Sequence, residues 1–200
     1  MSHEGGWASI LRTPVDGVLG ELGYDLTAEV RGILEHAGLD HSRPVVELAT
    51  GTGRTIAILA RLGHRVLTGD LTLDELETAR ARIGPAYLPA VRFLRLMMEH
   101  LPFGDRSLPA LVSSTTIHEL ARPIPCVEEM VRVLEPGGVL VIADFNETGF
   151  AALEHVHRKL HRRDHPRGFL PMADVAALLR RRSLAVREMH TPLLTVCVAT

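Results

Sequence analysis

Apolar positions along this chain switch between two spacings, short unbroken runs and three-to-four-residue periods, and the two kinds of segment alternate. Residues 45–48 form a run, and beyond Thr50-Gly51-Thr52-Gly53 the residues Ile56, Leu59 and Ala60 share one helical face. Residues 65–69 predict a second strand that finishes at Asp70. Thr72 with Glu75 predicts a capping box for a helix that buries Leu73, Leu76 and Ala79 and is broken by Gly84-Pro85. Residues 91–96 give a third strand, 101–105 a turn and 108–114 a fourth strand, with Pro109 confined to its start or to a bulge. A helix over 126–134 buries Val127, Met130, Val131 and Leu134, and Glu135-Pro136-Gly137-Gly138 turns the chain into a nearly continuous apolar strand at 139–144. Helices over 149–163 and 171–182 and strands near 184–189 and 193–199 follow. Upstream, residues 1–26 read as irregular or short helical structure. A helix over 27–37 carries Val30, Ile33, Leu34 and Ala37 on one face and stops at Gly38. Such alternation predicts an α/β chain with a doubly wound, mostly parallel sheet.

The turn between the first strand and its helix is where chemistry is expected. Gly51 and Gly53 allow backbone angles closed to other residues and let a ligand approach without meeting a Cβ. The helix that follows leaves unpaired N–H groups at the positive end of its dipole. A dinucleotide site wants G-x-G-x-x-G and an acid about 20 residues on. Asp70 meets the second demand, but Ile56 stands where the third glycine belongs. Glu47, four residues before Gly51, would repel a pyrophosphate and suits a ligand that carries an ammonium group.

Composition narrows the field further. The chain has 200 residues, 46% hydrophobic and 23% charged, with a net charge of −2. That is one ordinary domain, and nothing global draws it to nucleic acid or acidic lipid. Cys126 and Cys197 form neither a disulfide framework nor a zinc site, and Pro125-Cys126 reads as structural. No apolar run spans a bilayer and no secretory signal is legible, so the cytoplasm is the expected location. His157, His161 and His165 recur at helical spacing, but Arg158, Lys159, Arg162, Arg163 and Arg167 surround them. A basic helix face is expected there and no metal site.

Four stretches together carry a family resemblance. Glu47 to Gly53 reads E-L-A-T-G-T-G, which resembles motif I of the class I S-adenosylmethionine-dependent methyltransferases, an acid followed by x-G-x-G-x-G, with Ala49 in place of the first glycine. GDLTLDELETARAR, LPFGDRSL and EEMVRVLEPGGVLVIADF are similar to the segments that follow in the small-molecule branch of that family. The resemblance runs from about residue 25 to the C-terminus. It implies a Rossmann-like sheet of about seven strands, mostly parallel with the last strand antiparallel, under an N-terminal helical cap. The expected organisation is a single domain over 1–200, with a cap or lid at 1–42 and a core at 43–200.

The resemblance also implies a cofactor and its site. S-adenosyl-L-methionine, leaving as S-adenosyl-L-homocysteine, is expected against Glu47, Ala49, Thr50, Gly51, Gly53, Asp70, Leu71, Met98, Glu99 and Ser114. The family usually has an aspartate for the adenine where this chain has Met97-Met98-Glu99, so an apolar wall or a shifted Glu99 takes that role. Its usual Phe-Asp after the serine of the LPF turn is Leu108-Pro109 here. His118 and Glu119 follow the fourth strand, where the family brings cofactor and acceptor together, and are the candidate catalytic residues, with Glu119 or Asp144 as the partner that orients the histidine; a surface or capping histidine is the alternative. Tyr24 is either a lid contact or a core tyrosine. The expected activity is methyl transfer to a small molecule, with an oxygen, carbon or nitrogen acceptor left open. Cofactor binding without transfer, as a sensor or partner subunit, and use of a modified cofactor are the rivals. The expected partners are a small-molecule substrate, no nucleic acid and no membrane, in a monomer or homodimer.

Overall fold

A computed structural model of the chain describes residues 7, 9–72, 74–162 and 170–200. Seven strands form one sheet: β1 (Val45–Leu48), β2 (Val66–Asp70), β3 (Val91–Arg95), β4 (Leu108–Ser114), β5 (Leu134–Phe145), β6 (Val186–His190) and β7 (Leu194–Ala199). Their order is β3-β2-β1-β4-β5-β7-β6. β1 to β5 pair in parallel, and β7 runs antiparallel to both β5 and β6. The doubly wound sheet with its antiparallel last strand is therefore present as the sequence implies.

Among the described residues seven α-helices cover it: α1 (Pro14–Glu21), α2 (Leu26–Glu35), α3 (Arg54–Arg61), α4 (Leu76–Ile83), α5 (Pro123–Val133), α6 (Glu147–His161) and α7 (Met172–Arg181). Side chains of a strand alternate between faces, and the unbroken apolar runs serve two cores at once. Val45, Val112 and Val141 join α1, α2, α3, α4 and α6 on one face. Val46, Leu111 and Leu140 join α5 and α7 on the other. Both cysteines lie in that second core, where burial raises the thiol of Cys126 to about 12 and that of Cys197 to about 11, so neither ionises at neutral pH.

Several boundaries move, for local physical reasons. Thr13 caps α1 through a reciprocal box with Asp16, which turns part of the expected irregular N-terminus into a defined helix. The predicted capping box at Thr72 and Glu75 is absent: α4 starts at Leu76, Glu75 is its cap residue, and no side-chain capping bond forms. Leu73, expected on that helix face, lies outside the described residues. α6 starts at Glu147 because the Asn146 side chain accepts from the Gly149 N–H at 2.9 Å. The expected turn at Glu135-Pro136-Gly137-Gly138 is instead part of β5, with a register shift opposite Leu108 and Ala110. Pro109 lies at that irregularity, and its carbonyl would stand 3.0 Å from a Cβ added at Gly138. No described helix is long and apolar enough to cross a membrane.

Candidate functional site

The carboxyl ends of β1, β2 and β4 open into a cavity of about 440 Å³, at the crevice where open α/β sheets hold ligands. The glycine loop forms one wall in a left-handed run: Ala49 has φ 67°, Gly51 φ 45° and Gly53 φ 80°. Ala49 thus adopts the backbone of the glycine it replaces, at a strain of roughly 1–2 kcal/mol. Gly53 does not line the cavity. It lets α3 approach α4, since a Cβ added there would lie 2.8 Å from the Ala79 Cα and Cβ.

Asp70 closes the far side of the loop. Its carboxylate accepts from the Gly51 N–H at 2.9 Å and the Leu71 N–H at 2.7 Å, one bond to each oxygen. Each oxygen keeps a second lone pair for a hydroxyl in the cavity. Leu71 and Met97 are exposed at the rim, Met98 is buried and Glu99 is half-buried in the same lining. Ser114, at the end of β4, is 8% exposed and its hydroxyl has no hydrogen-bond partner. A buried hydroxyl facing a cavity without a partner is a place for a ligand atom. Of the residues expected at the cofactor, all but Gly53 line this cavity.

Glu47 is 2% exposed and receives the Thr68 hydroxyl, which also contacts the Thr50 hydroxyl at 2.6 Å. Burial raises its carboxyl from 4.5 to about 8, and the charge of Asp70 adds to the effect while the Thr68 bond opposes it. Glu47 is therefore held protonated at neutral pH. Below pH 4.5 the group is protonated in both folded and unfolded chains; between 4.5 and about 8 it ionises only when unfolded. Stability contributed by Glu47 should fall by about 1.4 kcal/mol per pH unit across that window and level off above it. Denaturant midpoints from pH 5 to 9 check this. Glu47→Gln should remove the slope, and an equal slope in both proteins would refute the assignment.

A second cavity of about 420 Å³ adjoins the first and shares Thr52, Arg54, Thr115 and Glu119 with it. Thr115 takes φ 55°, an outlier for a β-branched residue, and its N–H is pinned to the Ala143 carbonyl at 2.8 Å. His118 faces this second cavity from the 3-10 turn Ile117–Glu119. Asp144, buried at the end of β5, accepts from the His118 backbone N–H at 2.7 Å and lies 2.6 Å from its Nδ1. A third bond, from the Phe145 N–H at 2.8 Å, holds the same carboxylate still. With Nδ1–H given to Asp144, the accepting nitrogen of a neutral imidazole is Nε2. Glu119 is mostly exposed and stands 3.9 Å from Nε2, so Asp144 rather than Glu119 orients the ring. The Phe145 and Phe150 rings stand edge-on to it at 5.4 and 5.5 Å.

The histidines and basic residues of α6 divide between this pair and the surface. His157 and His161 line the second cavity, while Lys159 and Arg158 turn outward to pair with Glu21 and Glu154. His165, Arg163 and Arg167 lie outside the described residues. Among the described residues no group of histidine, cysteine or acidic side chains could hold a metal ion. Tyr24 packs against the core and lines neither cavity.

One cluster is missing from the sequence reading. Asp16 of α1, buried at 5%, pairs with Arg54 at the start of α3 and with the wholly buried Arg82 of α4, and Arg82 in turn donates to the Thr52 hydroxyl at 2.8 Å. Burial pushes the Asp16 carboxyl up, but the Arg54 charge, the Thr13 N–H and the Arg82 charge outweigh it and leave it near 2. The only local signal was the Thr13–Asp16 box. The partners stand 38 and 66 residues away.

Residues 46–142 match the family described as methyltransferase domain. A demethylmenaquinone methyltransferase from Clavibacter sepedonicus is 35% identical over 102 residues, 51% of this chain and 41% of the relative. Another of that name, from Beutenbergia cavernae, is 31% identical over 144 residues, 67% of this chain and 58% of the relative. The chain spans about half the length of these curated relatives. Among solved structures, the glycopeptide N-methyltransferase MtfA in complex with sinefungin superimposes with a TM-score of 0.68 at 20% identity, over 88% of this chain and 94% of that one.

Proposed function

We propose that this chain, whose residues 46–142 match the methyltransferase-domain family and whose fold is similar to that of solved methyltransferases, transfers a methyl group from S-adenosylmethionine to a small molecule. The observation that carries the reading is the meeting of two cavities at one wall, one built on Glu47, the glycine loop and Asp70, the other holding the His118–Asp144 pair. The residues fit the cofactor. Asp70 offers lone pairs to a ribose diol, Ser114 offers an unspent hydroxyl, and Glu47 can ionise against an ammonium group. Bound there, the cofactor supplies a methyl on a sulfonium that is already a good leaving group. The chain supplies alignment, exclusion of water and, through His118, a base.

A base fixed by a buried carboxylate is useful only to an acceptor that loses a proton. We infer that the acceptor presents a hydroxyl or an acidic carbon, a class that includes the reduced ring of a quinone such as the one in the relatives' names. Nothing in the site requires that particular ring. Calorimetry with S-adenosylhomocysteine, S-adenosylmethionine and NAD tests the cofactor. Affinity for the first two and little for NAD is expected, and measurable NAD binding with neither of the others would overturn the reading.

Adenine recognition gives a further expectation. Met98 is buried, Met97 exposed and Glu99 half-buried in one lining, so the ring is expected in a mainly apolar slot with polarizable sulfur beside it. Met98→Ala should weaken cofactor binding severalfold and Glu99→Gln less. A strong loss in Glu99→Gln with none in Met97→Ala or Met98→Ala would assign recognition to Glu99 instead.

A further inference from the structure

The cluster around Asp16 does not balance its charge. Two guanidinium groups, Arg54 and Arg82, share its one carboxylate, and among the described residues neither pairs with a second acid. The Nε atoms of both are buried without a hydrogen-bond partner. Arg82 is spent inside the protein, with one terminal nitrogen on Thr52 and the other on Asp16. Arg54 is different. Its side chain keeps 13% exposure and lines both cavities at their shared wall.

Nearby acids do not answer the excess. Glu47 is held protonated at neutral pH by its burial, and Asp70, though charged, turns its oxygens to the Gly51 and Leu71 N–H groups and makes no ion pair with Arg54. Glu75 and Glu119 line the second cavity but are exposed, and water screens them. A cation held away from water is stable only when paired and hydrogen-bonded. The complement of a guanidinium fork is a planar two-oxygen anion.

We propose that Arg54 binds a ligand carboxylate at the wall between the two cavities. The proposal rests on the methyltransferase reading for the identity of those cavities. That carboxylate comes either from the amino-acid tail of the cofactor or from an acid group on the acceptor, and one set of titrations separates the two.

The probes are S-adenosylhomocysteine, 5′-methylthioadenosine, which lacks the amino-acid tail, and benzoate as a simple carboxylate. The proteins are wild type and Arg54→Gln, in which Asp16 keeps Arg82 as its partner. A tenfold or greater loss of homocysteine-ligand affinity in Arg54→Gln, with methylthioadenosine unchanged, supports the proposal and assigns the carboxylate to the cofactor. Unchanged affinity for both nucleosides, together with a benzoate-induced rise in melting temperature of the homocysteine complex that Arg54→Gln abolishes, supports it and assigns the carboxylate to the acceptor. If both nucleosides bind equally to both proteins and benzoate raises neither melting temperature, the proposal fails alone. If neither nucleoside binds wild type, the methyltransferase reading fails and takes the proposal with it.

Discussion

Asp70→Ala is expected to weaken binding of S-adenosylmethionine about ten- to a hundredfold, because hydrogen bonds to a charged acceptor are worth about 1.5–3 kcal/mol. The effect has two sources. The carboxylate is placed to receive hydroxyls from the cavity, and it already holds the Gly51 N–H at 2.9 Å and its own neighbour's at 2.7 Å. Alanine removes the ligand bond and also frees a glycine loop whose backbone runs through three left-handed residues. Asp70→Asn separates the two: an amide oxygen can still hold the Gly51 N–H, but the charge is gone. Calorimetry should rank wild type above Asp70→Asn and Asp70→Ala last. An alanine variant within twofold of wild type would leave Asp70 as a loop tether and nothing more.

How much of this was legible depends on how local each signal was. The strands were plain because residues such as Val45-Val46 and Val139 to Ala143 serve cores on both faces, so their runs are unbroken. The Leu134–Phe145 strand was read too short because Pro136, Gly137 and Gly138 have turn composition, whereas a register shift against β4 absorbs them. Glu47, Asp70 and Ser114 could be placed because each lies at or next to the end of a strand and these strand ends meet at one edge. Arg82 could not. On a helix ending A-R-A-R-I it reads as a solvated end, and only the arrival of Asp16, 66 residues earlier, makes it the largest wholly buried side chain. The pairing of His118 with Asp144 was half legible: the sequence leaves Glu119 and Asp144 as possible partners, and only the alignment of β4 with β5, which brings a residue 26 positions away to the imidazole, decides for Asp144.

That pairing underlies the expectation for His118→Ala, a fall of about 10²–10⁴-fold in the rate of methyl transfer with cofactor affinity unchanged. The separation of effects is built into the geometry: His118 faces the second cavity and is not part of the first. Asp144→Asn should reproduce part of the loss. Its amide can present an N–H where the carboxylate presented an acceptor, which favours the tautomer whose Nε2 carries the proton and cannot take another. Glu119→Gln should do little, because that side chain is exposed and 3.9 Å from Nε2. Single-turnover transfer measured across pH, with an acceptor identified by mass spectrometry of what co-purifies, distinguishes the roles. A base acts on the chemical step and shapes its pH dependence, whereas a packing residue acts on stability. If His118→Ala transfers at the wild-type rate with the same pH profile, the Asp144 bonds serve only to anchor the β4 exit. Methyl transfer would then rest on proximity and the exclusion of water, with an acceptor that needs to lose no proton.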